Sequence, residues 1–135
     1  MNWTRAIAVW LLIAAAETIH GILRSIVLVP AVGEYISQWI GVCTGSGIIL
    51  VIAWLTIEWI GARSGSERVA TGAVWTILMI IFEFSLGTAL GLDPGHLLQA
   101  YNPAEGGPMI FGMMLLFASP WIAARIRQRK TTQRQ

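Results

Sequence analysis

Polar residues are sparse along this chain and fall in bunches, with long apolar stretches between them. Four such stretches run over approximately 6–29, 37–60, 69–91 and 108–126. Each is close to the roughly 20 residues that an α-helix needs to cross the hydrocarbon core of a bilayer. The pattern predicts an all-α membrane protein built as a four-transmembrane-helix bundle. Pro30 is expected to close the first stretch, because proline disfavours helix at the residue before it. The run Arg63-Ser64-Gly65-Ser66-Glu67-Arg68 reads as a tight polar turn between the second and third. Gly106-Gly107-Pro108 opens the fourth, with Pro108 suited to a first helical position.

The 92–107 connection is too long for a minimal turn. Asp93-Pro94 pairs a good N-cap with a good first helical residue. A short extracytoplasmic helix is therefore expected at about 94–101, carrying His96, Gln99 and Tyr101, and ended by Asn102-Pro103. Residues 1–130 form one transmembrane domain in this reading, and 131–135 a short basic tail.

Composition strengthens the membrane reading. Hydrophobic residues make up 56% of the 135, charged residues 12%, and mean hydropathy is +0.67. Soluble domains carry roughly 25% charged residues. The first stretch contains Glu17, His20 and Arg24 and lacks a convincing cleavage site, so it reads as a retained span rather than a signal peptide.

The net charge of +2 does not indicate nucleic acid. Most of the positive charge is one C-terminal run, Arg125, Arg127, Arg129, Lys130 and Arg134, with no aromatic interleaving and no nucleic-acid motif. Basic residues instead predict orientation. Arg63 and Arg68 share the cytoplasmic side with that run. The 30–36 and 92–107 connections hold only acids, namely Glu34, Asp93 and Glu105. Both termini are then cytoplasmic, and a two-membrane bacterium would hold the protein in its inner membrane. Trp3, Trp39, Trp59 and Trp121 fall near span ends, where indole rings anchor. Trp10, Trp54 and Trp75 lie deeper, as packing residues.

Within this apolar frame Glu17, His20 and Arg24 stand out. Their i, i+3, i+7 spacing puts them on one helical face. Ionisable groups at membrane depth are costly, so they pair, face a bundle interior, or serve a function. Glu83 in the third span falls at a similar depth, and Gln38 and Thr44 lie in the outer half of the second. The shared faces are Trp10, Glu17, His20, Gly21, Arg24 and Leu28 on span 1, and Gln38, Gly41, Thr44, Gly45 and Ile48 on span 2. On span 3 the face is Thr76, Ile80, Glu83, Gly87 and Leu90. Gly41-x-x-x-Gly45 and Gly87-x-x-x-Gly91 read as sites of close backbone approach.

Three uses of this constellation follow from its chemistry. Arg24 can neutralise Glu83 or Glu17 while His20 bonds the remaining carboxylate, giving a network that only specifies packing. Burial and Arg24 act in opposite directions on the carboxylates, so one acid can exchange a proton in a transport cycle. Glu17, His20 and Glu83 also echo half of a carboxylate-bridged metal site, and paired histidines would be needed for haem. The remaining polar residues read as ordinary. Glu58 is expected to snorkel or to pair with Arg63, Cys43 and the methionines to fill space, and Ser119 to cover the carbonyl that Pro120 leaves without a donor. No nucleophile set, phosphate loop or nucleotide fingerprint is present.

Ala16-Glu17-Thr18, in a short chain of four spans, resembles the small multidrug resistance transporters, and the likeness covers the first span alone. In that family a first-span glutamate of a dimer takes protons and cationic drugs. His20, Arg24, the charged third span and the helical outer loop depart from the family pattern. The leading expectation is proton-linked transport or binding of a small solute at Glu17, His20, Arg24, Glu83, Gln38 and Thr44, with no cofactor identified. The alternatives are a structural or assembly subunit of a membrane complex and a metal or haem redox protein. The expected partners are the bilayer and either a second copy or another membrane subunit.

Overall fold

The computed structural model describes residues 2–91, Asp93, Gly95 and 109–134, with side chains through 128. Every regular element among them is helical. These are α1 (Trp3–Leu23), a π-helical turn (Arg24–Leu28), α2 (Val29–Val32), α3 (Glu34–Ile60), α4 (Gly65–Ala89) and α5 (Met109–Arg134). Four helices, Trp3–Val32, Glu34–Ile60, Gly65–Ala89 and Met109–Gln128, are long and apolar enough to cross a membrane. They fit an integral membrane protein. The short helix expected at 94–101, with His96, Gln99 and Tyr101, and the opening at Pro108 lie outside the described residues. Within that connection, the Asp93 side chain accepts from the Gly95 N–H at 3.1 Å.

Local chemistry sets the helix ends. The Asn2 side chain accepts from the Arg5 N–H and starts α1. Ser64 and Glu67 form a reciprocal capping box: the Ser64 hydroxyl oxygen accepts from the Glu67 N–H and its proton goes to Glu67 Oε1. α4 therefore begins at Gly65, inside the run read as a turn. Pro30 does not close the first span. The preceding turn widens, with the Val29 N–H reaching back to the Arg24 carbonyl, and helix resumes through Val32. The wider turn accommodates proline's missing N–H and its clash with the carbonyl four residues back. Gly33, at φ 87°, makes the stop, because that backbone conformation suits glycine. At the other end α5 meets no glycine or proline after Pro120 and continues into the tail as far as Arg134.

α1 packs on α3, α3 on α5, and α5 on α4, while α4 meets α1 more lightly. The apolar core occupies the half of the bundle nearer Arg5, Arg63 and Arg127. Small residues there, Ala6, Ala53 and Ala123, are fully buried and let helices approach closely. Trp75 is fully buried among them, and its indole N–H donates to the Ala6 carbonyl at 2.9 Å. Gly72 makes the tightest approach, since a Cβ there would run into the Phe117 carbonyl of α5. The fully buried Pro120 leaves the Leu116 carbonyl without its helical donor, and the Ser119 hydroxyl supplies one at 2.8 Å, as expected from sequence.

The outward surface is apolar. Leu11, Ile19, Ile26, Val51, Leu55, Ile77, Ile81 and Met114 are each more than half exposed. Cys43 is also exposed, which corrects its reading as a packing residue: it lies off the face that α3 turns to α1.

Candidate functional site

In the half of the bundle away from Arg5, Arg63 and Arg127, α1 and α4 stand apart around a half-enclosed cavity of about 550 Å³. All four long helices line it. Glu17, His20, Arg24, Gln38 and Glu83 contribute the polar wall, and Met79, Phe82, Leu86, Met113 and Leu116 much of the apolar one.

Two glycines stand in the α3 wall. A Cβ at Gly45 would lie 2.8 Å from Glu17 Oε2, and one at Gly41 would lie 2.7 Å from Arg24 Cδ. Gly41 and Gly45 thus seat two charged side chains of the first span. Their expected role, close approach of helix backbones, falls instead to Gly72. The second expected pair also divides its work. Gly87 is buried, but Gly91, at φ 84°, turns the chain after α4.

Glu17 is the least satisfied member. Its Oε1 is buried and accepts no hydrogen bond from any described residue. Its Oε2 faces His20 Nδ1 at 3.8 Å, beyond hydrogen-bond length. The other ring nitrogen, Nε2, lies 2.6 Å from the Thr44 hydroxyl oxygen. That hydroxyl has a single hydrogen and lies 3.0 Å from the Ile40 carbonyl; when it donates there, Nε2 is the donor of the ring. In that neutral tautomer Nδ1 is an acceptor turned toward an acceptor, and a proton or ligand donor placed there would satisfy both. Thr44 itself is exposed and stands outside the cavity lining, so it orients His20 from the outer side.

Arg24 reaches across Gly41. Its Nη1 donates to the Ser37 hydroxyl at 3.1 Å and lies 3.7 Å from Glu34 Oε1. The expectation set Arg24 against Glu83 or Glu17, and the partners described for it are Ser37 and Glu34. Glu34 also accepts from Gln38 Nε2 at 3.3 Å. Ser37 is fully buried. Sequence reading missed it and took Glu34 for a mere turn residue. The available signal was the Ser37-Gly41-Gly45 stripe of small residues at four-residue spacing.

Glu83 faces the cavity from α4 and interacts electrostatically with Glu17. Its helix presents Met79, Phe82 and Leu86 beside it, whereas Ile80 and Leu90, placed on that face from sequence, are exposed. Trp10 meets Phe82 edge to face at 6.0 Å, and its buried indole nitrogen has no partner among the described residues. No group of three histidine, cysteine, aspartate or glutamate side chains converges as a metal site among the described residues. Glu58 pairs with Arg127 at 2.9 Å rather than with Arg63, because α5 carries Arg127 over the α3 face. No known protein family, curated protein or solved structure matches this chain.

Proposed function

We propose that this chain is an integral membrane protein whose cavity binds a small solute, with Glu17 as the group that exchanges a proton during binding or transport. The observation that carries the reading is the Glu17–His20 arrangement: a buried carboxylate oxygen without a donor among the described residues, beside an imidazole nitrogen 3.8 Å from the same carboxylate. A site that only tied helices together would have its acceptors satisfied. The cavity lies between α1 and α4, neighbours that touch only lightly, where a change in helix spacing would open or close it. In this reading the outward apolar surface faces lipid, both termini are cytoplasmic, and the cavity belongs to the outer half of a bacterial inner membrane.

The second reading is a packing network in a structural or assembly subunit. The bonds His20–Thr44 and Arg24–Ser37 favour it, since both tie the first span to the second and fix their register. Infrared difference spectroscopy of the purified protein separates the two. A carboxyl band that changes with pH, and that Glu17→Gln removes while the protein stays folded, is the expected result. Absence of any such band in the unaltered protein would leave the packing network as the better account.

A further inference from the structure

At the end of the bundle opposite the cavity, the α3–α4 turn and the last turns of α5 surround a second cleft of about 750 Å³. Arg63, Arg68 and Arg127 line it with Gln128 and a single acid, Glu58. Three cations thus meet one carboxylate. That carboxylate is already engaged by Arg127 at 2.9 Å. Arg68 is anchored through Nε, which donates to the Ala62 carbonyl at 3.1 Å. A guanidinium has five N–H donors, so this anchor leaves it capacity for a further acceptor. Arg63 is exposed and makes no hydrogen bond or ion pair among the described residues.

The surroundings give this cleft a depth. Three arginines at this end stack on tryptophans: Arg5 on Trp59 at 5.0 Å, Arg127 on Trp54 at 4.9 Å and Arg125 on Trp121 at 4.7 Å. Trp59 and Trp121 lie near helix ends, where indole rings settle at the membrane–water interface, the level at which lipid phosphates lie, while Trp54 packs against the core. The cleft floor is apolar, with Ile57, Ala62 and Ala124. A planar guanidinium matches a phosphate by two parallel hydrogen bonds. Basic pockets between spans at the cytoplasmic face suit anionic headgroups.

We propose that the cleft holds the phosphate of an anionic phospholipid, gripped by Arg63 and Arg68, with its acyl chains along the apolar surface of α3 and α5. The proposal rests on the reading that the bundle spans a bilayer. It is independent of what the Glu17 cavity does.

The test uses the full chain purified in a neutral detergent, with lipid retention followed by native mass spectrometry and melting temperature. Phosphatidylglycerol, phosphatidylcholine and inorganic phosphate are added separately. Phosphatidylglycerol is expected to be retained and to raise the melting temperature, with phosphatidylcholine and inorganic phosphate doing neither. Arg63→Gln should weaken phosphatidylglycerol about fivefold, and Arg63→Gln with Arg68→Gln about thirtyfold. Arg63→Gln breaks no hydrogen bond or ion pair among the described residues, so its effect is read on a folded protein even if loss of Arg68 unfolds the turn. Equal retention of the two lipids, or unaltered affinity in Arg63→Gln, would overturn the site. Stabilisation by inorganic phosphate equal to that by phosphatidylglycerol would overturn the lipid as its ligand. Because the readout is lipid retention, failure here leaves the Glu17 reading standing.

Discussion

At the scale of single residues, the site turns on how each charge is seated. Glu17 and Glu83 share one cavity but differ in surroundings, so their neutral isosteres should separate. Glutamine keeps the shape and hydrogen-bonding capacity of glutamate. Both Glu17→Gln and Glu83→Gln are expected to fold. Glu17→Gln should abolish the pH-sensitive carboxyl band, while Glu83→Gln should alter it through the electrostatic contact between the two acids. A band that is identical in wild type and Glu83→Gln would show that the acids do not communicate. Arg24 gives a second prediction. Its partner Ser37 is fully buried, whereas the Glu34 side chain is 62% exposed. A double-mutant cycle on thermal stability should find coupling of about 1.5 kcal/mol between Arg24→Leu and Ser37→Ala. The coupling with Glu34→Gln should stay below about 0.5 kcal/mol, because solvent screens that pair. The reverse order would put the anchor of Arg24 at the exposed Glu34 rather than at the buried Ser37. Glu17, His20 and Arg24 were legible in sequence because a charge is conspicuous in an apolar run. Ser37 was not, because the reach of an arginine side chain decides which hydroxyl it finds.

At the scale of elements, glycines of similar appearance do unlike work. Gly45 and Gly72 both lie inside long helices and both are buried. Replacing either by alanine gains up to about 1 kcal/mol of helix propensity. At Gly45 the new methyl meets the end of a flexible side chain, the Glu17 carboxylate. At Gly72 it meets the backbone of α5, which cannot step aside without moving the helix. Gly45→Ala should therefore leave the melting temperature nearly unchanged while shifting the Glu17 carboxyl band. Gly72→Ala should destabilise by about 1–3 kcal/mol, the usual cost of overpacking. Equal stability losses in the two variants would refute this division. Helix ends were read unevenly from sequence. The Ser64–Glu67 capping box was present in the letters but was taken for a turn. The stop at Gly33 instead of Pro30 depended on the widened turn at Arg24–Leu28, a backbone adjustment that residue preferences do not specify.

At the scale of the molecule, the bundle is polarised. The arginine–tryptophan pairs and the packed apolar core lie toward one end, and the cavity with its acids toward the other. The rule that basic residues stay on the cytoplasmic side predicts an external 92–107 connection and an internal C-terminus. A reporter active only in the oxidising exterior should work when attached at residue 98 and fail at the C-terminus. Activity at the C-terminus alone would invert the bundle and turn the cavity toward the cytoplasm.

Four long apolar helices, their limits to within a few residues, and the ionisable residues of the first followed from the sequence alone. Those features depend on local composition: hydropathy over about 20 residues, and the isolation of a charge within it. Tertiary structure decided the rest. It decided that the faces of α1 and α4 part around Glu17 and Glu83, that Gly41 and Gly45 cradle side chains instead of a backbone, and that Arg24 finds Ser37 and Glu34. It also brought Arg127 across to Glu58. Each of these depends on the rotation and spacing of one helix against another. A helical wheel fixes which residues share a face, but neighbouring helices choose which face turns inward and how closely it is met.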